Sequence, residues 1–293
     1  MNKHLYRDAA AVEQAVAQVA AIRPAYASML GFYGPVFVAQ EKAAAATAPG
    51  TIPGDDSQLE IRSAAGQVLI EPGALTVDVL AAADLLRQVC RSAAQAGQPL
   101  GGAADALTRA MDSGTRMADL FVDLFDDQGR IGELAATANV PPKMIALLLY
   151  LAVKPGIEAA SRRLAHRLPS RGEDPRGRCP ICDSAPIVGE LDAEGRQWVH
   201  CGLCWHRWPA NRLACPFCRN RENNSLEYLY SEEEPEYRVN LCNACKGYLK
   251  VVDTRKLKRL FYPPLEQVVT LHLDLLAAEK GYIQAVAPAG VLH

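Results

Sequence analysis

Eight of the nine cysteines lie between residues 179 and 245, and all eight fall in Cys-x-x-Cys pairs: Cys179–Cys182, Cys201–Cys204, Cys215–Cys218 and Cys242–Cys245. Two thiols three positions apart can curl round one cation while backbone N–H groups point at their sulfurs. Two such pairs complete the tetrahedron of a closed metal site. One pair alone says little; four within one short stretch, two of them opening Cys-Pro, specify metal binding rather than disulfides or idle thiols. The chemistry available to such a site is structural bracing, metal exchange or, at iron, one-electron transfer.

The residues between the pairs suggest which pairs meet. Ile187–Leu191 and Arg196–His200 flank Asp192-Ala193-Glu194-Gly195, which reads as strand, turn, strand. Leu226–Tyr230 and Tyr237–Leu241 flank an acidic turn, Ser231–Glu236, in the same way. Each hairpin returns the chain to its start. The expected grouping is therefore sequential, with Cys179, Cys182, Cys201 and Cys204 on one ion and Cys215, Cys218, Cys242 and Cys245 on the other. A crossed grouping, first pair with third and second with fourth, stays open. Four thiolates suit Zn or a single rubredoxin-type Fe equally, whereas four-iron clusters usually take tighter ligand runs.

Other reactive side chains read as ordinary. Cys90 falls on the apolar face of a helix and is expected in the core. His272 sits in an apolar C-terminal segment and is expected there too. His200 and His206 flank the second pair as supporting or surface residues. The Trp205-His206-Arg207-Trp208 run is either a contact surface or the ribbon's small core. No catalytic residue is expected, and the chain is read as a non-enzyme.

The elements that must position these groups divide the 293 residues in two. Residues 1–170 are alanine-rich, carry no tryptophan and show recurrent helix signals, so an all-helical domain is expected. Pro24 fits a first helical position. Thr76 can cap a helix that runs to about Ala96 and stops at Gly97. Pro141 and Pro142 can open another through Met144–Val153, with Pro155 breaking or kinking it. Pro49–Asp56 reads as a loop and Pro169–Pro175 as a linker. Two small rubredoxin-like or zinc-ribbon-like β modules follow, at 171–212 and 213–262. Within 263–293 a helix runs from Pro263-Pro264 to Gly281. It is apolar nearly all round, so it is expected to be buried between the halves or against the first.

Charge narrows the partners. The formal net charge is -2. Residues 171–262 hold 15 Lys+Arg and 13 Asp+Glu; eight thiolates and two divalent ions turn that +2 into about -2, which is no footprint for phosphate. Arg255–Arg259 reads as a solvated helix face. No segment has the ~20 apolar residues of a membrane span, and the N-terminus lacks a secretory pattern. The expectation is a cytoplasmic protein with no nucleic-acid or membrane partner.

The ordered pairs, the run Cys242-Asn243-Ala244-Cys245-Lys246-Gly247-Tyr248-Leu249-Lys250 and the closing Leu273–Tyr282 resemble the formate dehydrogenase accessory protein FdhE family over about the last 115 residues. The resemblance implies a cytoplasmic assembly factor for respiratory formate dehydrogenase that contacts the catalytic subunit before its export. It also favours iron, in two rubredoxin-like sites. The competing functions are a nucleic-acid-binding zinc ribbon and a rubredoxin-like redox protein. The oligomeric state is left open.

Overall fold

The structure is a computed structural model, and it describes residues 8–46, 55–74, 77–126, 128–168 and 176–284. The expected cap Thr76, the linker 169–175 and most of the 49–56 loop lie outside these residues. Two compact units emerge among the described residues: 8–46 with 72–74, 77–126 and 128–160, and 55–71 with 161–168 and 176–284.

The first unit is helical. Its elements are α1 (Ala9–Ile22), α2 (Ala27–Ala46), α4 (Val79–Ala94), α5 (Leu100–Asp112), α6 (Met117–Asp123), α7 (Gly129–Ala138) and most of α8 (Pro142–Ala165); α3 (Asp56–Ala64) belongs to the second unit. Pro24 opens a single 3₁₀ turn before α2, as its fixed φ allows. α4 is capped by Asp78, whose carboxylate accepts from Leu80 and Ala81 N–H at 3.1 Å. Its buried face carries Ala82, Leu85, Leu86, Val89, Cys90 and Ala93 at helical spacing. Burial pushes the Cys90 thiol up to about 11, which fits an inert core residue. The alanine bias is a packing device. α5 buries Gly101, Ala103, Ala104, Ala106 and Ala110, and a Cβ on Gly101 would lie 3.6 Å from the Ala94 carbonyl.

α8 rules out one of two alternatives. It is not broken at Pro155 but continues to Ala165. Its composition would suit a membrane span, yet 83% of its most apolar window is buried inside the protein. Lys154 is buried one turn before Glu158 and ion-paired to it, so the charge inside this helix is compensated.

The second unit is built on one sheet. Its strands are β1 (Pro186–Leu191), β2 (Gln197–Cys201), β3 (Arg207–Pro209), β4 (Leu226–Tyr230), β5 (Tyr237–Cys242), β6 (Gly247–Asp253) and β7 (Ile283–Gln284). Both expected hairpins form, as β1–β2 and β4–β5. The two ribbons share the sheet, ordered β3-β2-β1-β6-β5-β4, with β7 added beside β6. They join through parallel pairing of Val188–Leu191 with Lys250–Asp253. Gly189 makes that seam possible, because a Cβ there would meet Val251 at 2.9 Å and Leu249 at 3.2 Å. Residues 55–71 brace the first cysteine pair from outside the ribbons. Leu69 and Ile70 N–H both donate to the Ile181 carbonyl, at 3.1 and 3.0 Å, and Ser63 donates to Arg167 O at 2.6 Å.

The C-terminal segment departs from one buried helix. It breaks at Thr270 into α9 (Pro263–Val269) and α10 (Leu271–Glu279). α9 is almost wholly buried and lies against β1. α10 lies on β6, contributing Ala277 to a cluster with Val239, Leu241, Tyr248 and Tyr282, while Leu275 stays 66% exposed. The Arg255–Arg259 run is no helix face. Arg255 chelates Asp253 at 2.7 Å, and buried Arg259 forms a two-pronged pair with Glu266 at 2.6 and 2.8 Å. His272 likewise is no core histidine; it bonds Glu234 at 2.8 Å from a part-exposed position.

One position ties the first and third cysteine pairs together. Gly177 holds φ +69°, and a Cβ on it would collide with the Pro216 carbonyl. Gly177→Ala should therefore force the two knuckles apart and cost about 1–3 kcal/mol from the strained backbone alone. Urea titration followed by tryptophan fluorescence checks this.

Candidate metal centres

Each cysteine pair forms the same small loop. In the first three, the first cysteine's N–H donates to the carbonyl five residues on: Cys179 to Ser184 and Cys201 to His206 at 2.9 Å, and Cys215 to Asn220 at 2.8 Å. In all four, the residue after the second cysteine is left-handed: Asp183 (φ 59°), Trp205 (57°), Arg219 (64°) and Lys246 (57°). Non-glycine residues adopt this conformation at a cost of about 1 kcal/mol or more. Its recurrence at four equivalent positions marks it as a requirement of the loop, which turns both sulfurs to one side. None of the four is glycine, so composition did not flag it; the shared offset from the second cysteine was the available signal.

The loops bring the sulfurs together in sequential groups. Cys179, Cys182, Cys201 and Cys204 form one cluster and Cys215, Cys218, Cys242 and Cys245 the other, with the sulfurs of each within 4.8 Å of one another. In the first, Cys179–Cys204, Cys182–Cys201 and Cys182–Cys204 are 3.6, 3.4 and 3.5 Å apart. In the second, Cys215–Cys245 and Cys218–Cys242 are 3.7 and 3.6 Å apart. A disulfide would need about 2.05 Å. A tetrahedron of metal–sulfur bonds of about 2.3 Å has edges of about 3.8 Å. The donor set and its spacing therefore fit a tetrathiolate ion at either place, Zn or Fe alike.

Backbone amides add to the fit. Leu203 and Cys204 N–H point at Cys201 Sγ from 3.3 and 3.4 Å, Phe217 N–H at Cys215 Sγ from 3.4 Å, and Gly247 N–H at Cys245 Sγ from 3.4 Å. Such donors stabilise thiolate charge. One hydroxyl does the same for the first cluster, Ser161 Oγ donating to Cys204 Sγ at 3.5 Å, while Ser184 Oγ accepts from Cys182 Sγ at 3.4 Å. Ser184 follows its cysteine by two residues and was findable; Ser161 sits on α8, 43 positions from its sulfur, and carries no local signal.

The two clusters differ in exposure. All four cysteines of the first are buried, whereas in the second Cys218 is exposed and Cys245 half-buried. The first is also walled by a polar network. Buried Glu190 receives both prongs of Arg207 at 2.9 and 3.0 Å and His200 at 3.0 Å. His200 is thus a supporting residue, as expected. Asp192 closes the β1–β2 turn, accepting from Glu194 N–H, Arg196 N–H, Arg196 Nε and Trp198 Nε1 at 2.8–3.1 Å. Burial pushes this carboxyl up, but the bonds from Trp198 and Arg196 outweigh it and hold the group at about 2. Arg207 lies 3.8 Å over the Trp198 ring; of the run 205–208, Trp208 is buried and the other three residues are half-buried, so Trp208 alone belongs to the ribbon's core.

No protein-family model matches the chain. Among curated proteins, it is 36% identical over 110 residues to a protein FdhE homolog of Aquifex aeolicus, covering 36% of this chain and 38% of that protein. It is 32% identical over 131 residues to the FdhE homolog of Actinobacillus pleuropneumoniae serotype 3, covering 42% of each. The matched stretch thus spans about two fifths of the length of these relatives. The fold is that of the FdhE protein from Pseudomonas aeruginosa, with a TM-score of 0.70 at 21% identity over 97% of this chain and 95% of that one. The resemblance read from the sequence is therefore met in both sequence and fold.

Proposed function

We propose that this chain, similar in sequence and fold to FdhE proteins, is a non-enzymatic accessory factor for formate dehydrogenase that meets the catalytic subunit in the cytoplasm. On this reading Cys179, Cys182, Cys201 and Cys204 ligate one ion and Cys215, Cys218, Cys242 and Cys245 a second. The observation that carries it is the pair of four-sulfur clusters, each spaced for a tetrahedral ion and served by backbone donors. A factor that monitors assembly needs a surface with different affinity for finished and unfinished enzyme, and a metal-braced sheet supplies a rigid one. The modules proposed for that surface are the two ribbons, 171–212 and 213–262.

A tagged pull-down from cells respiring formate tests the function. The catalytic subunit should be retained, and retention should fall when either cluster is mutated. A preparation that retains nucleic acid or another redox enzyme instead removes the assignment.

The exposure difference predicts unequal metal lability. Chelator challenge of the loaded protein should release one equivalent at least tenfold faster than the other, because Cys218 is open to attack while the first cluster is sealed. Absorbance of a chromogenic chelator against time reads both phases, and selective protection of the first cluster's thiols from alkylation assigns them.

A further inference from the structure

A cleft of about 1230 Å³ opens on the second unit between the Pro209–Phe217 loop and the β4–β5 hairpin. Arg212, Leu213, Gln197, Tyr228, Arg238 and Asn240 line it. Two of its polar atoms are buried without a partner. Arg238 Nε donates to nothing, and Gln197 Oε1 accepts from nothing. Arg212 donates to the Gly195 carbonyl at 3.0 Å and has no carboxylate partner among the described residues. Burial and then the neighbouring Arg212 oppose the charge on Arg238; Asp253 offsets this in part, and Arg255 adds to the opposition. Unsatisfied buried polar groups are destabilising, and two guanidiniums side by side, neither with a carboxylate hydrogen bond among the described residues, suit a shared anion.

The occupant must supply an acceptor for Arg238 and a donor for Gln197. A phosphodiester has only acceptors; a peptide has both. β4 ends the sheet, so its outer edge is open to main-chain pairing. Cys215 and Cys242 line the cleft as well. Cys242 lies four residues from Arg238 on β5, about 13 Å away, and a tetrathiolate with a divalent ion there would repel a polyanion more strongly than a single carboxylate.

We propose that this cleft holds an extended, carboxylate-bearing segment of the formate dehydrogenase catalytic subunit, with the carboxylate on Arg212 and Arg238 and a backbone N–H on Gln197. The proposal rests on the function given above and adds where and how the partner is gripped. It also accounts for exposed Leu213 and Tyr228 beside the arginines, as seats for flanking side chains.

The test uses the full-length, metal-loaded chain with intact catalytic subunit, and an array of overlapping 12-residue peptides from that subunit in native form and with Asp and Glu changed to Asn and Gln. Wild type should bind the subunit and a few native peptides. Amidated peptides, and the variants Arg212→Gln and Arg238→Gln, should bind at least tenfold more weakly. Both variants should keep two metal equivalents, and Arg238→Gln should keep or raise the melting temperature, because it removes an unpaired buried group. If wild type does not bind the subunit, the function and this inference fall together. If wild type binds and both variants match it within twofold, or amidated peptides bind as well as native ones, the cleft is not the grip and only the function stands. Displacement of bound peptide by inorganic phosphate or an oligonucleotide at equal concentration would also overturn the carboxylate assignment.

Discussion

Replacing Cys182 by serine should remove one of two metal equivalents and unravel the β1–β2 hairpin, while the second cluster keeps its ion. Cys182 is buried and stands within 3.5 Å of both Cys201 and Cys204. Serine cannot supply a thiolate, and no water reaches the sealed cluster to replace it. Structural ions of this class contribute about 10–16 kcal/mol of apparent folding free energy in small domains, as much as the whole stability of an ordinary one. Only the shared sheet remains to hold the hairpin. Cys218→Ser removes the equivalent corner of the second cluster, but that corner faces solvent. Water can complete the tetrahedron there, so this variant should bind its ion weakly rather than lose it. Metal content by mass spectrometry and far-ultraviolet circular dichroism read both results. Loss of both ions from either variant would refute independent sites.

Asp274→Ala should cost about 3–5 kcal/mol, the usual penalty for stranding a buried charge. Lys250 is 1% exposed at the centre of the sheet. Its ammonium donates to Asp274 at 2.7 Å and to the Gln267 carbonyl at 3.2 Å, and Tyr248 donates to the other Asp274 oxygen at 2.9 Å. Burial lowers the Lys250 pKa, and Asp274 is the chief influence opposing that. Without Asp274 the folded-state pKa falls further below the unfolded value. A base depressed in this way is worse off folded while it stays charged, and the deficit shrinks as pH rises through the folded pKa toward about 10.4. The difference in unfolding free energy between variant and parent should therefore narrow between pH 7 and pH 10. A gap that stays constant would show that lost packing, not stranded charge, is the cause.

These two sites were not equally legible. The eight cysteines announce themselves, because the chemistry of a tetrathiolate fixes both residue type and spacing. The hairpins between them were readable from alternation and turn residues, which are local signals. Lys250 was not. In sequence it is a polar residue in a strand, and only the parallel pairing of β6 with β1, some sixty residues away, puts it inside. That pairing also merges two modules that read as separate. Arg259 and His272 misled for the same reason: their partners, Glu266 and Glu234, define their environment, and a residue's own type does not. Pro155 failed as a breaker because tertiary packing overrides its local cost. The apolar pattern of 263–281 overstated burial. α9 uses it fully, whereas α10 spends half on solvent.

The parallel seam between β1 and β6 has a consequence for synthesis on the ribosome. The first cluster's ligands end at Cys204, and β6 begins only after Cys245. At about 5–20 residues per second, the first ribbon is exposed for about 2–10 s before the strand that flanks it has been translated. An ion captured in that interval would set the first hairpin as a finished template, and the second ribbon would then dock on an edge already in place. The order in which the two four-cysteine sets become available is thus written into the order of the codons.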